Sequence, residues 1–203
     1  LTGRFQIPPF EMGVGQAPEG RFFPDTYDYV AGDFMWTGID YLGEPTPHAD
    51  RARSSYFGIV DMAGFPKDAY YLYKSEWTDE EVLHLFPHWN WEDGQEVDVW
   101  VYTSFPEVEL FINGNSQGSL KKGPDDLHLS WRCNYVPGEL KAVARRTDGS
   151  QAETIVRTAG EAVLISLEAD RQQIRADGKD LSFVTVSILD RERNPVPHAG
   201  NLI

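Results

Sequence analysis

The chain is poor in several features that would place it quickly. It has one cysteine, Cys133, which excludes an internal disulfide framework and a cluster of metal thiolates. No apolar run approaches the roughly 20 residues a membrane helix needs, so no membrane insertion is expected. The opening residues LTGRFQIPPF have no basic region followed by an apolar core and do not read as a signal peptide. Positive charge is scarce: 18 Lys and Arg stand against 32 Asp and Glu, a formal charge of −14. Phosphate backbones and anionic lipid would be repelled, so nucleic acid is excluded as a partner. An initiator methionine is also missing, and the chain reads as a piece of something longer. What is abundant is apolar and aromatic surface, 41% and 13% of 203 residues, enough to bury a core in one or two domains.

Three textures follow one another. Residues 1 to about 27 are rich in Gly, Pro and Phe without any period and read as an irregular segment. YVAGDFMW then has the length of a buried strand, and YFGIV suggests a second short one. After Pro66, KDAYYLYKSEW places Ala69, Leu72, Tyr73 and Trp77 at helical spacing, so residues 28–80 read as strand, long loop and helix. From about residue 82 the pattern alternates strictly. EVDVWVYT puts Val97, Val99 and Val101 on one face and Asp98, Trp100 and Tyr102 on the other, as in a sheet with one face on a core. Asn113-Gly114 and Asp148-Gly149 each lie between apolar runs and predict hairpin turns. Strands at this spacing with no helix among them fit an immunoglobulin-like sandwich. Beyond Gly160, VLISLEAD, the turn DGKD and LSFVTVSILD give a few further strands, too few to close a core.

The stretch WTGIDYLGEPTP, residues 36–47, carries the most chemistry. A tryptophan closing a buried strand is either plain core or a face for a sugar ring, whose C–H bonds pack on aromatic rings while carboxylates take its hydroxyls. In (β/α)8 barrels the loops after the strands hold the working residues, and this loop stands in such a place. Asp40 and Glu44 are either the paired carboxylates of glycoside hydrolysis or braces for the loop through backbone amides. Asp40, followed by Tyr41, fits the brace better. His88, Trp89 and Trp91 read as a packed domain junction or as a surface platform for sugar. The five histidines, His48, His84, His88, His128 and His198, have no zinc-like spacing, and His48 alone lies in the loop.

WTGIDYLGEPTP followed by SSYFGIVDMAGFPKDAYYLYKSEW resembles the last strand, loop and helix of the catalytic barrel in glycoside hydrolase family 2, specifically the β-galactosidases common in Bacteroidetes. HLFPHWNW and VWVYTSFPEVELFINGNSQGSL resemble the immunoglobulin-like domain after that barrel. ISLEADRQQIRADGKDLSFVTVSILDRERNPVPHAGN resembles the start of the next one. The expected fold is therefore mainly β: the end of a (β/α)8 barrel over 1–80, an Ig-like β-sandwich over 81–159, and an incomplete bacterial Ig-like domain over 160–203.

The resemblance implies a retaining glycosidase that uses two glutamates. The Asn-Glu of the acid/base occurs nowhere in this chain, and the nucleophile is expected upstream of Leu1. Glu11 is the one nearby acid and stays a candidate catalytic residue, although it matches a later Pro-x-x-Glu position of the family segment. Trp36 matches the residue that packs at the galactosyl subsite, with Asp40, Tyr41 and Glu44 shaping the same pocket. Members that hydrolyse glucuronides resemble one another in an Asn-x-Lys pair. That pair is absent here, which favours a neutral sugar, galactose before mannose. The resemblance further implies a galactoside-containing oligosaccharide or glycan as partner and a periplasmic or extracellular location. A magnesium or sodium ion assists some members, and no other cofactor is implied. Cut from seven other barrel strands, residues 28–80 are expected to be either disordered or held by packing on the sandwich or on another copy of the chain in a homo-oligomer. The chain alone is expected to be inactive. The reading from another class is an Ig-like module that binds glycan or spaces other domains.

Overall fold

The computed structural model describes residues 35–45, 52–124 and 126–202. Glu11, His48 and all of YVAGDFMW except Met35 and Trp36 lie outside the described residues. Within them, one helix, α1 (Asp68–Trp77), precedes nine strands: β1 (Leu83–Phe86), β2 (Glu96–Thr103), β3 (Glu107–Ile112), β4 (Asn115–Lys121), β5 (Leu129–Asn134), β6 (Glu139–Arg145), β7 (Gln151–Arg157), β8 (Leu164–Ala169) and β9 (Val184–Leu189). They form a three-stranded sheet β1-β2-β5, a four-stranded sheet β4-β3-β6-β7 and a two-stranded pair β8-β9, with every pairing antiparallel.

The alternation read from the sequence builds the sandwich. Val97, Val99 and Val101 face inward opposite Cys133, Trp131 and Leu129 of β5. The other sheet meets them with Val108, Leu110 and Ile112 of β3 and Leu140, Ala142 and Ala144 of β6. Each fully buried aliphatic side chain contributes roughly 1.5–3 kcal/mol, so this cluster dominates the stability of the unit. Trp89 is 0% exposed and donates its indole N–H to the Val136 carbonyl at 3.0 Å. Trp131 is 8% exposed and donates to Gly118. Both are core, and a surface sugar platform cannot be built from them. Trp91 is partly buried and stacks on His88 at 4.6 Å, as a packed junction would have it.

The predicted turns form where expected. Asn113 and Gly114 have φ of 49° and 78°, the left-handed pair that a tight hairpin needs, and join β3 to β4. The Asn113 side chain also accepts the Glu139 amide at 2.7 Å and donates to the Pro137 carbonyl at 3.0 Å. One residue thus closes a hairpin and staples it to the next. Asp148 accepts the Ser150 amide at 2.8 Å, and Gly149, at φ 89°, completes the β6–β7 turn.

Two local expectations are corrected. YFGIV does not form a strand: residues near it make only the isolated bridges Ile39↔Val60, Leu42↔Ser54 and Val60↔Pro66. The Gly58 amide donates to the Asp40 carboxylate at 2.8 Å rather than to a ladder partner, which interrupts the run at its centre. Trp77, expected on the buried face of the helix, is 64% exposed, whereas Ser75 is buried. Trp77 is the last helical residue, and Thr78 turns back to cap the Lys74 carbonyl, so the indole lies past the packed face against Tyr73.

The helix covers the outer face of the three-stranded sheet, with Leu72 packed among Phe86, Tyr102 and Leu127. This burial pushes the Tyr102 phenol far above its ordinary range. Both helix ends are tied to the sandwich: Asp68 pairs with His84 of β1 at 2.8 Å, and Glu76 pairs with Lys122 after β4. At the other junction Asn90 holds Ala159 through two hydrogen bonds, 2.9 Å from the Ala159 amide and 2.7 Å to its carbonyl. Asp190, 2% exposed, accepts the Gly160 amide at 2.9 Å and the Asn194 amide at 2.7 Å. The β8-β9 pair leaves Ile165, Leu167, Val184 and Val186 exposed on one face.

Candidate functional site

Residues 36–44 and 54–60 form the site loop, laced by backbone bonds from Asp40 to Val60, Gly43 to Arg53 and Ser55 to Tyr41. Consecutive residues of the loop serve opposite sides. Asp40 points inward, with its side chain 7% exposed. Its Oδ2 meets the Lys67 ammonium at 2.6 Å, and its Oδ1 accepts the Gly58 amide at 2.8 Å. Lys67 also donates to the Tyr56 carbonyl at 2.9 Å, and Ser55 accepts the Tyr41 amide at 3.1 Å. A β-carbon at Gly58 would run into the backbone of Ile39 and Asp40, so glycine is required for this close approach. Asp40 is therefore a brace, held by a cation and an amide, and not one of two carboxylates facing a common bond.

Tyr41 faces the other way. Its hydroxyl donates to Glu44 and receives the Trp36 indole N–H at 3.3 Å. The two rings meet edge to face with centroids 6.2 Å apart, a favoured aromatic geometry. Hydrogen bonding to Glu44 raises the Tyr41 phenol above its ordinary range, against a smaller opposing effect of the Trp36 bond. Glu44 itself sits at φ 44°, in the left-handed region, which turns its side chain back on Tyr41. The result is an indole that is 73% exposed yet fixed at its nitrogen. An exposed, oriented aromatic face flanked by a carboxylate can take the apolar side of a sugar ring and one of its hydroxyls.

The four residues expected to shape the pocket lie in one loop, with Trp36, Tyr41 and Glu44 in one hydrogen-bonded row and Asp40 behind it. Lys67, Ser55 and Gly58 escaped the sequence reading as parts of it. The aromatic and acidic cluster is visible in the sequence, whereas contacts between residues this far apart leave no periodic trace. Among the described residues no group of three or more His, Cys, Asp and Glu is placed to hold a metal ion, and no helix is long and apolar enough to cross a membrane.

Comparison with known proteins bears on this geometry. The model of glycoside hydrolase family 2 C-terminal domain 5 matches residues 165–203, and a domain of unknown function, DUF4982, matches residues 94–153. The β-galactosidase BoGH2A of Bacteroides ovatus is 56% identical over 177 residues, covering 87% of this chain. The chain belongs to glycoside hydrolase family 2. A putative β-glucuronidase of Formosa agariphila is 33% identical over 180 residues, 85% of the chain. The crystal structure of a β-glycosidase from Bacteroides vulgatus superposes with a TM-score of 0.78 at 32% identity over 88% of the chain and 23% of its own length. A family 2 member from Bacteroides cellulosilyticus gives 0.73 at 29% identity, over 86% of this chain and 28% of that one. The chain spans only 21% of the length of the first of these curated relatives and 17% of the second. Its mainly β fold, with the Ig-like sandwich at the centre, is the fold of this C-terminal part of the family.

Proposed function

We propose that the chain is part of a retaining β-galactosidase acting on terminal β-D-galactosides of an oligosaccharide or glycan. In this reading Trp36 is the platform for the galactosyl ring, Tyr41 and Glu44 border it, and Asp40 holds the loop in place. The two catalytic glutamates lie outside this chain, Glu11 being the weak remaining candidate within it. Residues 1–80 then end the catalytic barrel, 81–159 form an accessory sandwich, and 160–203 begin a second one. The location is periplasmic or extracellular, and association of copies is compatible with the exposed face of β8-β9.

The observation that carries this reading is the exposed indole of Trp36, fixed through Tyr41 to Glu44. Substrate choice leans on Lys67. Its ammonium is bound to Asp40 and to the Tyr56 carbonyl, so it is not offered to a sugar carboxylate. That favours a neutral galactoside over a glucuronide, even though relatives carry both names. The reading as a glycan-binding module would need an aromatic platform on the sandwich, and Trp89 and Trp131 are buried.

The test is hydrolysis of nitrophenyl β-galactoside and nitrophenyl β-glucuronide by the enzyme carrying this chain, with and without Trp36→Ala. Turnover of the galactoside that falls by about tenfold or more in kcat/KM in the variant supports the platform, each tenfold being about 1.4 kcal/mol of transition-state binding. Preference for the glucuronide, or indifference to the loss of Trp36, overturns it. Separately, turnover by the isolated 203-residue chain would refute the placement of the glutamates outside it.

A further inference from the structure

Two neighbouring residues at the start of α1 face in opposite directions. Lys67, the residue capping the helix, reaches back to Asp40 of the site loop at 2.6 Å. Asp68, the first helical residue, reaches forward to His84 of the sandwich at 2.8 Å. One peptide unit therefore lies between the grip on the loop and the grip on the Ig-like unit. The His84 ring is further fixed by Tyr71, stacked on it at 3.9 Å with planes 9° apart, and by Phe86, the next residue on the same outer, helix-facing side of β1. Both side chains of the forward pair are largely covered, 20% and 25% exposed, so the pair is little screened by solvent. Asp68 also stands in the first helical turn, where a carboxylate is favoured by the helix dipole.

We propose that His84 is a positioning residue for the Trp36 loop, acting through Asp68, Lys67 and Asp40, and that one role of the Ig-like sandwich is to hold the sugar-facing loop in register. The sandwich is the better-anchored partner: its core residues are buried between two hydrogen-bonded sheets, whereas the loop is held by isolated bridges, scattered backbone bonds and side-chain bonds. The far end of the helix, where Glu76 meets Lys122, is a second attachment to the sandwich, and among the described residues this pair bonds to Ser75 and the Thr103 carbonyl and not to the loop. The proposal therefore predicts an asymmetry between the two ends. That Trp36 meets a sugar rests on the function proposed above; the coupling itself does not.

The test uses the intact chain and nuclear magnetic resonance. The readouts are the Trp36 indole N–H signal and the hydrogen exchange of the Gly58 amide. His84→Ala and Asp68→Asn should shift the indole signal and speed Gly58 exchange by roughly tenfold, the effect of losing one charge-assisted hydrogen bond. His84→Gln, which keeps a donor, should restore both, and Glu76→Gln at the other end should leave both near the parent values. Equal effects from the two ends, or none from His84→Ala and Asp68→Asn, would overturn the joint. If His84→Ala fails to fold, Asp68→Asn decides alone. Since neither readout is catalytic, the result stands apart from whether the enzyme cleaves galactosides.

Discussion

Tyr41 and Glu44 share a hydrogen bond that turns the phenol into a fixed acceptor for the Trp36 indole. The orientation of the exposed tryptophan thus depends on a proton held by its neighbour. Glu44 raises the Tyr41 phenol above its ordinary range. A group whose folded pKa is raised contributes stability below its unfolded value, near 10 for tyrosine, and loses it as pH rises through the folded value. The row should therefore persist through neutral and mildly alkaline pH and fail only in strong base. Tyrosinate absorbance should lose a late-titrating step in Tyr41→Phe.

The same variant removes the acceptor from Trp36. Tyr41→Phe should reduce kcat/KM for a galactoside by about fivefold, while Trp36→Ala should cost more. Equal losses would mean that Tyr41 does more than hold the indole.

Asp40→Asn should leave the Lys67 ammonium, one-third exposed, without its carboxylate. The expected cost is about 1–2 kcal/mol, less than for a fully buried pair because solvent reaches Lys67. Gly58→Ala should loosen the same loop by pushing the Ile39–Asp40 peptide away from residue 58. Urea unfolding should show the first effect, and faster amide exchange confined to residues 54–60 should show the second.

Leu110→Ala opens a cavity between the two sheets, where the side chain is 0% exposed. A cost of about 3–4 kcal/mol is expected, as for other buried leucines. Chemical denaturation followed by near-ultraviolet circular dichroism should report it, and the Trp36 indole signal should not move at temperatures where the sandwich stays folded.

Asp190 gives the chain an acid-sensitive joint. Its carboxyl is held below the usual range, first by the Gly160 amide and then by Asn194. A lowered folded pKa contributes stability above the unfolded value, near 4, and that stability is lost as pH falls through the folded value. Exchange of the Gly160 amide, corrected for its intrinsic pH dependence, should accelerate on acidification, and Asp190→Asn should abolish that step.

The sandwich was legible because each of its strands has one face on a core, and a period of two writes that asymmetry into the order of residues. Val97, Val99 and Val101 needed no structure to be assigned inward. The same logic failed at YFGIV, where apolar length suggests a strand but a side chain, Asp40, takes the amide that a ladder would use. It failed at Trp77 because helical spacing says which face is apolar and not where the underlying sheet ends. The aromatic and acidic character of the site loop could be read directly. Its partner Lys67 could not, since an ion pair across a loop has no period and a lysine before a helix usually faces water.

The staple at Asn113 has a chemical consequence as well as a mechanical one. Asn-Gly is the dipeptide most prone to spontaneous deamidation, because the following amide nitrogen can attack the side-chain carbonyl carbon and close a succinimide ring. Here the Asn113 amide group is held on both sides, by the Glu139 amide and the Pro137 carbonyl, and turned toward the β6 strand. While the sandwich stays folded the ring cannot readily close, and the residue ages slowly. On unfolding the lock is released and the clock starts, so isoaspartate at position 113 would record the time that the sandwich has spent open.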